Sequence, residues 1–290
     1  MEKVKKLFEK IINGNPNREE IKNYIGIFLD ALEKGEIRSA EKVNNEWVVN
    51  FFVKESILLG FKYGKLKLIK GGYTNFMDKE FYPLQNKSLK SSVRMLPGGS
   101  AIRRGSYVAD GTVIIPPSYV NIGAFVDTGC MLDSHSLVGS CAQIGKNVHL
   151  SAASQIGGVL EPIGALPVII EDNVFIGGNC GIYEGTIVRE KAVIGTGVII
   201  NASTPVFDNT TGKFLEKNKN NTNEIPAGAV VVSGSRLLSS KSGRENGISI
   251  YCPVIIKYRD EKTGTSINLE ELLSCLLYTS PSPRDRQKSR

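Results

Sequence analysis

Histidine and cysteine, common ligands of zinc and other transition metals, are scarce in this chain of 290 residues. Its two histidines are His135 and His149, so one chain cannot supply a three-histidine metal site. Five cysteines are scattered without a C-x-x-C pair, which argues against a disulfide framework and against a cysteine zinc site. They are Cys130, Cys141, Cys180, Cys252 and Cys275. The sequence therefore predicts no metal site, and it contains no G-x-G-x-x-G, P-loop or G-x-S-x-G motif.

Two carboxylates lie where turns are expected. Asp133 follows Leu132, and Glu184 lies within Tyr-Glu-Gly-Thr. If the two faced each other across a boundary between subunits, their repulsion would raise the pKa of one and prepare the pair for acid–base work. An ordinary interpretation stays open for each: Asp133 as a turn-stabilising residue, Glu184 as a solvated turn carboxylate. His135 would face the same side as Asp133 in a strand, and is either a base or a packed side chain.

An aliphatic residue recurs at every sixth position through the middle of the chain. The first run is Ile102, Val108, Ile114, Val120, Val126, Leu132, Val138, Ile144, Leu150 and Ile156. The second run is Ile170, Ile176, Ile182, Val188, Ile194, Ile200 and Val206. A short strand and a tight turn occupy six residues, and three such units close one triangular coil. Stacked coils bury the aliphatic residues in stripes, so the pattern predicts a parallel β-solenoid rather than a β-sandwich.

Two interruptions break this period. Between Ile156 and Ile170 the chain is apolar with two prolines, which predicts an excursion from the coil of the kind that forms a functional face. The stretch from Asp208 to Glu224 is polar and rich in Asn and Lys, which predicts a flexible loop.

The flanking regions differ from the repeat. VKKLFEKII and REEIKNYIGIFLDALEKGEI have helical spacing, and Gly35 is expected to end the second helix. EKVNNEWVVNFFVKESILLGF predicts a turn followed by either a helix or a strand. AVVVSGS, ISIYC and PVIIKYR read as strands, and a short helix is expected from Ser266. These patterns divide the chain into a mainly helical domain (1–93), the solenoid (94–235), a C-terminal β segment with a short helix (236–275) and a tail (276–290).

Composition and charge bound the class of protein. Apolar residues make up 41% of the chain and charged residues 22%, so it can bury a core. It has neither a secretory signal nor a run of about 20 apolar residues, so we expect a cytoplasmic protein with no membrane partner. The net charge is +7, but residues 280–290 carry four positive charges and one negative, and the remaining +4 predicts no nucleic-acid partner. That Ser-, Pro- and Arg-rich tail is either non-native sequence or a basic segment for an acidic partner.

Several blocks of sequence resemble one family. They are MLDSHSLVGSCAQIGKNVHLSA, IGGVLEP, PVIIEDNVFIGGNCGIYEGTIV, GEIRSAEKVNNEWVVN and IPAGAVVVSGS. The chain is identified by them as a member of the tetrahydrodipicolinate N-succinyltransferase family of hexapeptide-repeat acyltransferases. The resemblance covers roughly residues 1 to 273. It departs from many members at Ser134-His135, where they carry Thr-Trp, and at 178–181, where they read Ala-Arg-Ser-Glu.

The resemblance implies a fold and a reaction. The fold would be mostly β: a left-handed parallel β-helix with an N-terminal α-helical domain and a small C-terminal β segment. The reaction would transfer succinyl from succinyl-CoA to the amino group of L-2-amino-6-oxopimelate, ring-opened tetrahydrodipicolinate, in lysine and diaminopimelate biosynthesis. Succinyl-CoA would be a co-substrate, no cofactor would be bound permanently, and a homotrimer would share its active sites between subunits. An acetyl-CoA-dependent N-acetyltransferase and a non-catalytic scaffold remain alternatives.

The resemblance also implies roles for individual residues. Glu184 matches the catalytic glutamate, as general base or transient acyl carrier, and Asp133 matches a substrate-binding and catalytic aspartate. Arg94 matches an arginine that pairs with a substrate carboxylate, with Arg103 and Arg104 as second choices or as surface charge.

Coenzyme A would need small residues along its pantetheine arm and cations at its phosphates. By the same resemblance, the small residues along the pantetheine arm are Asn201, Ser203 and Ala227. The cations at the phosphates would be Lys241 and Lys257, unless these two lysines are only solvated surface charges.

Overall fold

The computed structural model describes residues 2–70, 75–85 and 92–259. The expected helix from Ser266, Cys275 and the tail lie outside these residues. The N-terminal region contains α1 (Glu2–Asn13), α2 (Arg18–Glu33), β1 (Ala40–Val43), β2 (Glu46–Val49), α3 (Phe51–Tyr63), β3 (Leu66–Ile69) and β4 (Phe76–Lys79).

The two helices expected from sequence are present, and α2 begins with a capping box. The Asn17 side chain accepts hydrogen bonds from the N–H groups of Glu19 and Glu20, and the Glu20 carboxylate accepts one from the Asn17 N–H. The stretch whose structure the sequence left open forms the β1–β2 hairpin and then α3. Asn44 and Asn45 turn the hairpin with φ of 48° and 66°, the left-handed pair that a type I′ turn requires.

The repeat region forms strands of two residues each. They are β5 (Arg94–Met95), β6 (Ala101–Ile102), β7 (Tyr107–Val108), β8 (Val113–Ile114), β9 (Tyr119–Val120), β10 (Phe125–Val126), β11 (Met131–Leu132), β12 (Leu137–Val138), β13 (Gln143–Ile144), β14 (His149–Leu150), β15 (Gln155–Ile156), β16 (Ile169–Ile170), β17 (Phe175–Ile176), β18 (Gly181–Ile182), β19 (Ile187–Val188), β20 (Val193–Ile194) and β21 (Ile199–Ile200). Each strand ends on an aliphatic residue of the sixfold series, except β5, which ends on Met95.

These strands stack as three parallel sheets, which we call faces A, B and C. Face A runs β5, β8, β11, β14, β17 and β20; face B runs β6, β9, β12, β15, β18 and β21; face C runs β7, β10, β13, β16 and β19. Leu132 pairs with Leu150, one coil further along, and both side chains are fully buried. The predicted parallel coil is confirmed, and the chain turns at three edges, AB, BC and CA.

The remaining elements close the coil. They are β22 (Phe207–Asp208), β23 (Lys213–Phe214), β24 (Glu224–Ile225), β25 (Ala229–Val232), β26 (Ser235–Leu237), α4 (Lys241–Glu245), β27 (Ser249–Tyr251) and β28 (Val254–Tyr258). β24 adds to face C and β25 to face A, and β28 pairs antiparallel with β25. The strands expected near the C-terminal end are therefore present.

The second interruption differs from its prediction. The sixfold series places the next coil strand at Val206, but the face C strand after β19 is β24, with Ile225 directed inward. Val206 is buried in the same core without forming a coil strand. The stretch expected to be a flexible loop also contains the two-residue strand β23, which pairs antiparallel with β22.

The helical region packs on face C. Among the outward-facing side chains of this face, Gln143 and Ile169 are fully buried, and Ile187 is nearly so. On face B, by contrast, Ile199 is 39% exposed. None of the helices in the described residues is long and apolar enough to cross a membrane.

Candidate active site

Glu184 lies in an unusual turn on the BC edge. In most coil turns of the described chain, the third residue of four has a positive φ, as at His135 (63°) and Asn179 (55°). In the turn after β18, both Glu184 at the second position and Gly185 at the third are left-handed, with φ of 52° and 70°. A glutamate in this region is strained, and such strain concentrates at functional sites.

The carboxylate of Glu184 is exposed and only partly engaged. Its Oε2 accepts a hydrogen bond of 3.0 Å from the Ala202 N–H, one coil further along. Within the described part of the chain, Oε1 accepts no hydrogen bond. One oxygen therefore fixes the side chain while the other can accept a proton from a substrate.

A cavity of about 310 Å³ adjoins Glu184. Its walls come from the excursion at 157–168, from Glu184, and from Asn220 and Thr222 of the second insertion. Glu161 adds a second carboxylate to the lining. Both interruptions of the repeat thus meet at one cavity, and the predicted excursion from the coil is confirmed.

Asp133 lies on a different edge from Glu184. It follows β11 on the AB edge, where its Oδ1 accepts a hydrogen bond from the Ser134 N–H at 2.7 Å. Glu184 follows β18, two coils further along. Within one chain these carboxylates are separated by the width of face B, so a site containing both requires a second copy of the chain.

The expected side-by-side orientation of Asp133 and His135 was wrong. It assumed an extended strand, but residues 133–136 form the AB turn and His135 has a φ of 63°. The His135 N–H donates to the Pro117 carbonyl at 2.6 Å, and the residue is exposed. His149 is buried on face A, with its ring edge-on to Phe175.

The three candidate arginines have different surroundings. Arg94 lies exposed on face A, in the first coil. Arg103 lies on the BC edge, where it forms an ion pair with Asp78 at 2.6 Å and its side chain is 13% exposed. Arg104 pairs with Asp30 and Glu33 of α2. Arg103 and Arg104 thus tether the helical region to the coil, whereas Arg94 lies in an exposed strand of face A.

Within one chain, the residues expected to bind coenzyme A lie on different edges and elements. Asn201 and Ser203 lie on the BC edge next to the Ala202 N–H that binds Glu184, and Asn201 Oδ1 accepts from the Ser203 N–H and hydroxyl. Ala227 lies on the CA edge after β24, and Lys241 is exposed in α4. Lys257 lies in β28.

A second cavity, of about 420 Å³, lies on the CA edge beneath the β1–β2 hairpin. Glu171 at its wall accepts hydrogen bonds from Lys42 and the Trp47 indole, and pairs with Arg189. Burial by itself would raise the pKa of Glu171. These hydrogen bonds and the charge of Arg189 outweigh that effect and lower the pKa to about 2. This cluster joins the hairpin to the coil.

Sequence reasoning missed residues that contact the excursion or line its cavity, which are Lys54, Asn220 and Thr222. Lys54 belongs to no motif and reads as a surface residue of its helix, and the Asn-x-Thr triplet at Asn220–Thr222 indicates nothing about a cavity. In the described residues, no group of three or more His, Cys, Asp or Glu side chains is arranged to hold a metal ion.

Strands repeated every six residues around an aliphatic interior define the class of hexapeptide-repeat proteins, and the matches to known families place the chain among its acyltransferases. Residues 1–63 match the N-terminal family model of tetrahydrodipicolinate N-succinyltransferase, and residues 167–202 match the hexapeptide repeat of succinyl-transferase. The chain belongs to the tetrahydrodipicolinate N-succinyltransferase family, as the resemblance in its sequence predicted.

The relatives match nearly the whole chain. The 2,3,4,5-tetrahydropyridine-2,6-dicarboxylate N-succinyltransferase of Sodalis glossinidius is 47% identical over 249 residues, covering 84% of this chain and 85% of that protein. The protein of the same name from Idiomarina loihiensis is 41% identical over 265 residues, covering 90% and 92%. The acetyltransferase domain of PglB from Neisseria gonorrhoeae, solved with acetyl coenzyme A, aligns over 48% of this chain at 19% identity and a TM-score of 0.30. The family assignment therefore rests on the sequence relatives.

Proposed function

We propose that this protein transfers a succinyl group from succinyl-CoA to the amino group of L-2-amino-6-oxopimelate, in diaminopimelate and lysine synthesis. The observation that carries the proposal is the left-handed turn that presents Glu184 at the cavity of the BC edge. The shared name of the relatives supplies the substrate class.

The reaction needs a deprotonated amine next to a thioester. The amine nitrogen attacks the succinyl carbonyl carbon, the C–N bond forms, and the C–S bond breaks to release coenzyme A as its thiol. Glu184 accepts the proton that the amine loses, and that proton passes to the leaving sulfur. Anchoring both substrates in this geometry contributes to the rate by proximity.

The remaining candidate residues hold the substrates. Asp133 attracts the ammonium group before transfer, and Arg94 pairs with a substrate carboxylate through its planar guanidinium. Asn201, Ser203 and Ala227 line the pantetheine arm, and Lys241 neutralises phosphate. Arg103 is left out of this assignment because its guanidinium is bound to Asp78.

We also propose a homotrimer of left-handed parallel β-helices in the cytoplasm. Asp133 and Glu184 flank face B on its two edges, and the helical region leaves that face uncovered. In a threefold ring, neighbouring copies would meet along face B. This arrangement would bring Asp133 of one copy toward Glu184 of the next. It would also bury exposed apolar side chains such as Ile199. The proposed domains stay at 1–93, 94–235, 236–275 and 276–290.

Release of coenzyme A thiol tests the reaction. The full chain is given succinyl-CoA or acetyl-CoA, each with and without tetrahydrodipicolinate. Release that requires the acceptor and prefers succinyl-CoA supports the proposal. A preference for acetyl-CoA would reassign the donor, and no release from a folded protein would favour a scaffold.

Sedimentation tests the assembly. We expect a trimer at working concentrations, and mixing inactive Asp133→Ala and Glu184→Ala proteins after dissociation should restore part of the activity. A monomer with full activity would contradict the shared site.

A further inference from the structure

The least expected charge in the molecule is the ammonium of Lys54. The side chain extends from α3 and is fully buried. In the described residues no carboxylate pairs with it, and its one hydrogen bond is donated to the Ala165 carbonyl at 2.6 Å. Burial lowers the pKa of Lys54. Burying a lysine against a single neutral acceptor is costly, so the position calls for a reason beyond folding.

Ala165 belongs to the excursion that forms a wall of the Glu184 cavity. The helical region contacts this excursion on either side of Ala165. Gly164 lies against the Phe51 ring, and Leu166 is buried with Ala40. Lys54 adds a hydrogen bond to these apolar contacts. Because a hydrogen bond depends on direction and apolar packing does not, this bond fixes the orientation of the Ala165 carbonyl.

The excursion in turn rests directly on the catalytic turn. A Cβ atom on Gly185 would lie 2.7 Å from the Leu166 carbonyl oxygen, so the two backbones are in close contact. The Gly185 carbonyl also accepts a hydrogen bond from the Thr222 hydroxyl at 3.0 Å. The left-handed Glu184-Gly185 pair is therefore held between the excursion and the second insertion.

We propose that Lys54 is a positioning residue for Glu184, acting through the Ala165 carbonyl and the Leu166–Gly185 contact. This inference rests on the proposed function, and it makes the helical region part of the active site. Loss of the Lys54 hydrogen bond lets the excursion shift, and a displacement of about 1 Å at a catalytic group can cost up to roughly a hundredfold in rate.

The test replaces Lys54 by methionine, which keeps most of the apolar stem and removes the donor. We expect kcat to fall about tenfold or more, while KM for succinyl-CoA stays within about twofold, because the turn that contains Asn201 and Ser203 is held by its own hydrogen bonds and not by Lys54. The matched control is Tyr82→Phe. Tyr82 is also fully buried and also donates to a backbone carbonyl, but its acceptor is Ile57 of α3 at 2.6 Å rather than a residue of the excursion.

A double-mutant cycle separates positioning from general damage. The background is Glu184→Asp, which keeps a carboxylate and which we expect to retain some turnover. In it, the Lys54→Met effect on kcat should shrink markedly if Lys54 acts through Glu184. An undiminished effect in that background would overturn the proposal. Should the methionine variant fail to fold, Lys54→Gln, one atom shorter but still a donor, is measured in the same way.

Hydrogen exchange gives a readout that does not depend on the reaction. Lys54→Met should accelerate exchange of the Val159, Ala165 and Thr186 amides, which close the excursion and the Glu184 turn. Tyr82→Phe should leave them unchanged. If no variant or wild-type protein transfers succinyl but this contrast appears, the proposed function fails and the positioning stands. Unchanged exchange and unchanged kcat in Lys54→Met would refute the positioning role.

Discussion

Glu184 differs from the other turn residues of the coil in backbone conformation. Most turns of the coil have one left-handed residue, and Gly, Asn and even Cys141 and Ala153 take that place. Glu184 occupies the preceding position and is left-handed as well, which rotates its side chain relative to those of other turns. Its hydrogen bond with the Ala202 N–H then sets the direction of the carboxylate.

Removing the charge of Glu184 should abolish most turnover. We expect Glu184→Gln to lower kcat by about 10²–10⁴-fold, the usual contribution of a general base. Glu190→Gln is the control, because Glu190 holds the same position in the next turn but lies on the CA edge. Steady-state thiol release measures both variants. Equal rates for Glu184→Gln and the wild type would remove Glu184 from the mechanism.

At the scale of elements, the excursion and the BC turn that contains Glu184 are in direct contact. Replacing two glycines tests this contact, because Gly185 and Gly197 are both the left-handed third residue of a coil turn. Gly197→Ala meets no atom closer than 3.9 Å and should cost about 1 kcal/mol for backbone strain alone. Gly185→Ala adds a clash with the Leu166 carbonyl, so it should cost clearly more and also lower kcat. Urea unfolding and thiol release check this, and equal costs would show that the contact is loose.

The sequence was a good guide to elements whose pattern is local. The sixfold series predicted the coil because each coil repeats the same burial, and the two prolines marked the excursion. The sixfold series failed at Val206, because the next inward-facing position on face C is filled by Ile225, nineteen residues later. A repeat of six residues cannot predict where the coil resumes after an insertion. It also could not identify Lys54, whose role depends on Ala165, 111 residues away.

At the scale of the whole molecule, the Glu171 cluster joins the helical region to the coil and makes this joint sensitive to acid. The pKa of Glu171 is about 2 in the folded protein, against an ordinary value of 4.5. The ionised Glu171 carboxylate therefore stabilises the folded protein fully above about pH 4.5, and this stabilisation is lost as the pH falls toward 2. From this shift we expect Glu171→Gln to lower the free energy of unfolding by about 3 kcal/mol at pH 7, and by less at pH 3.

Urea unfolding at the two pH values measures that difference. Glu46→Gln is the control: Glu46 lies on the same hairpin but forms an exposed pair with Lys219, so it should change stability by less than about 1 kcal/mol at either pH. A pH-independent loss in Glu171→Gln would show that the cluster stabilises by packing rather than by charge.

The antiparallel pairing of β28 with β25 has a consequence for how the molecule ends. A stack of parallel coils has no intrinsic last member, because each open row of N–H and C=O groups is a template on which another chain can add. β28 covers that row on face A and runs in the opposite direction, and β22 and β23 extend the sheet beyond it, so the sixfold repeat does not continue there. On face A, a second copy arriving at this end would therefore meet the short strand β23 at the edge of the sheet and not a parallel strand of the coil.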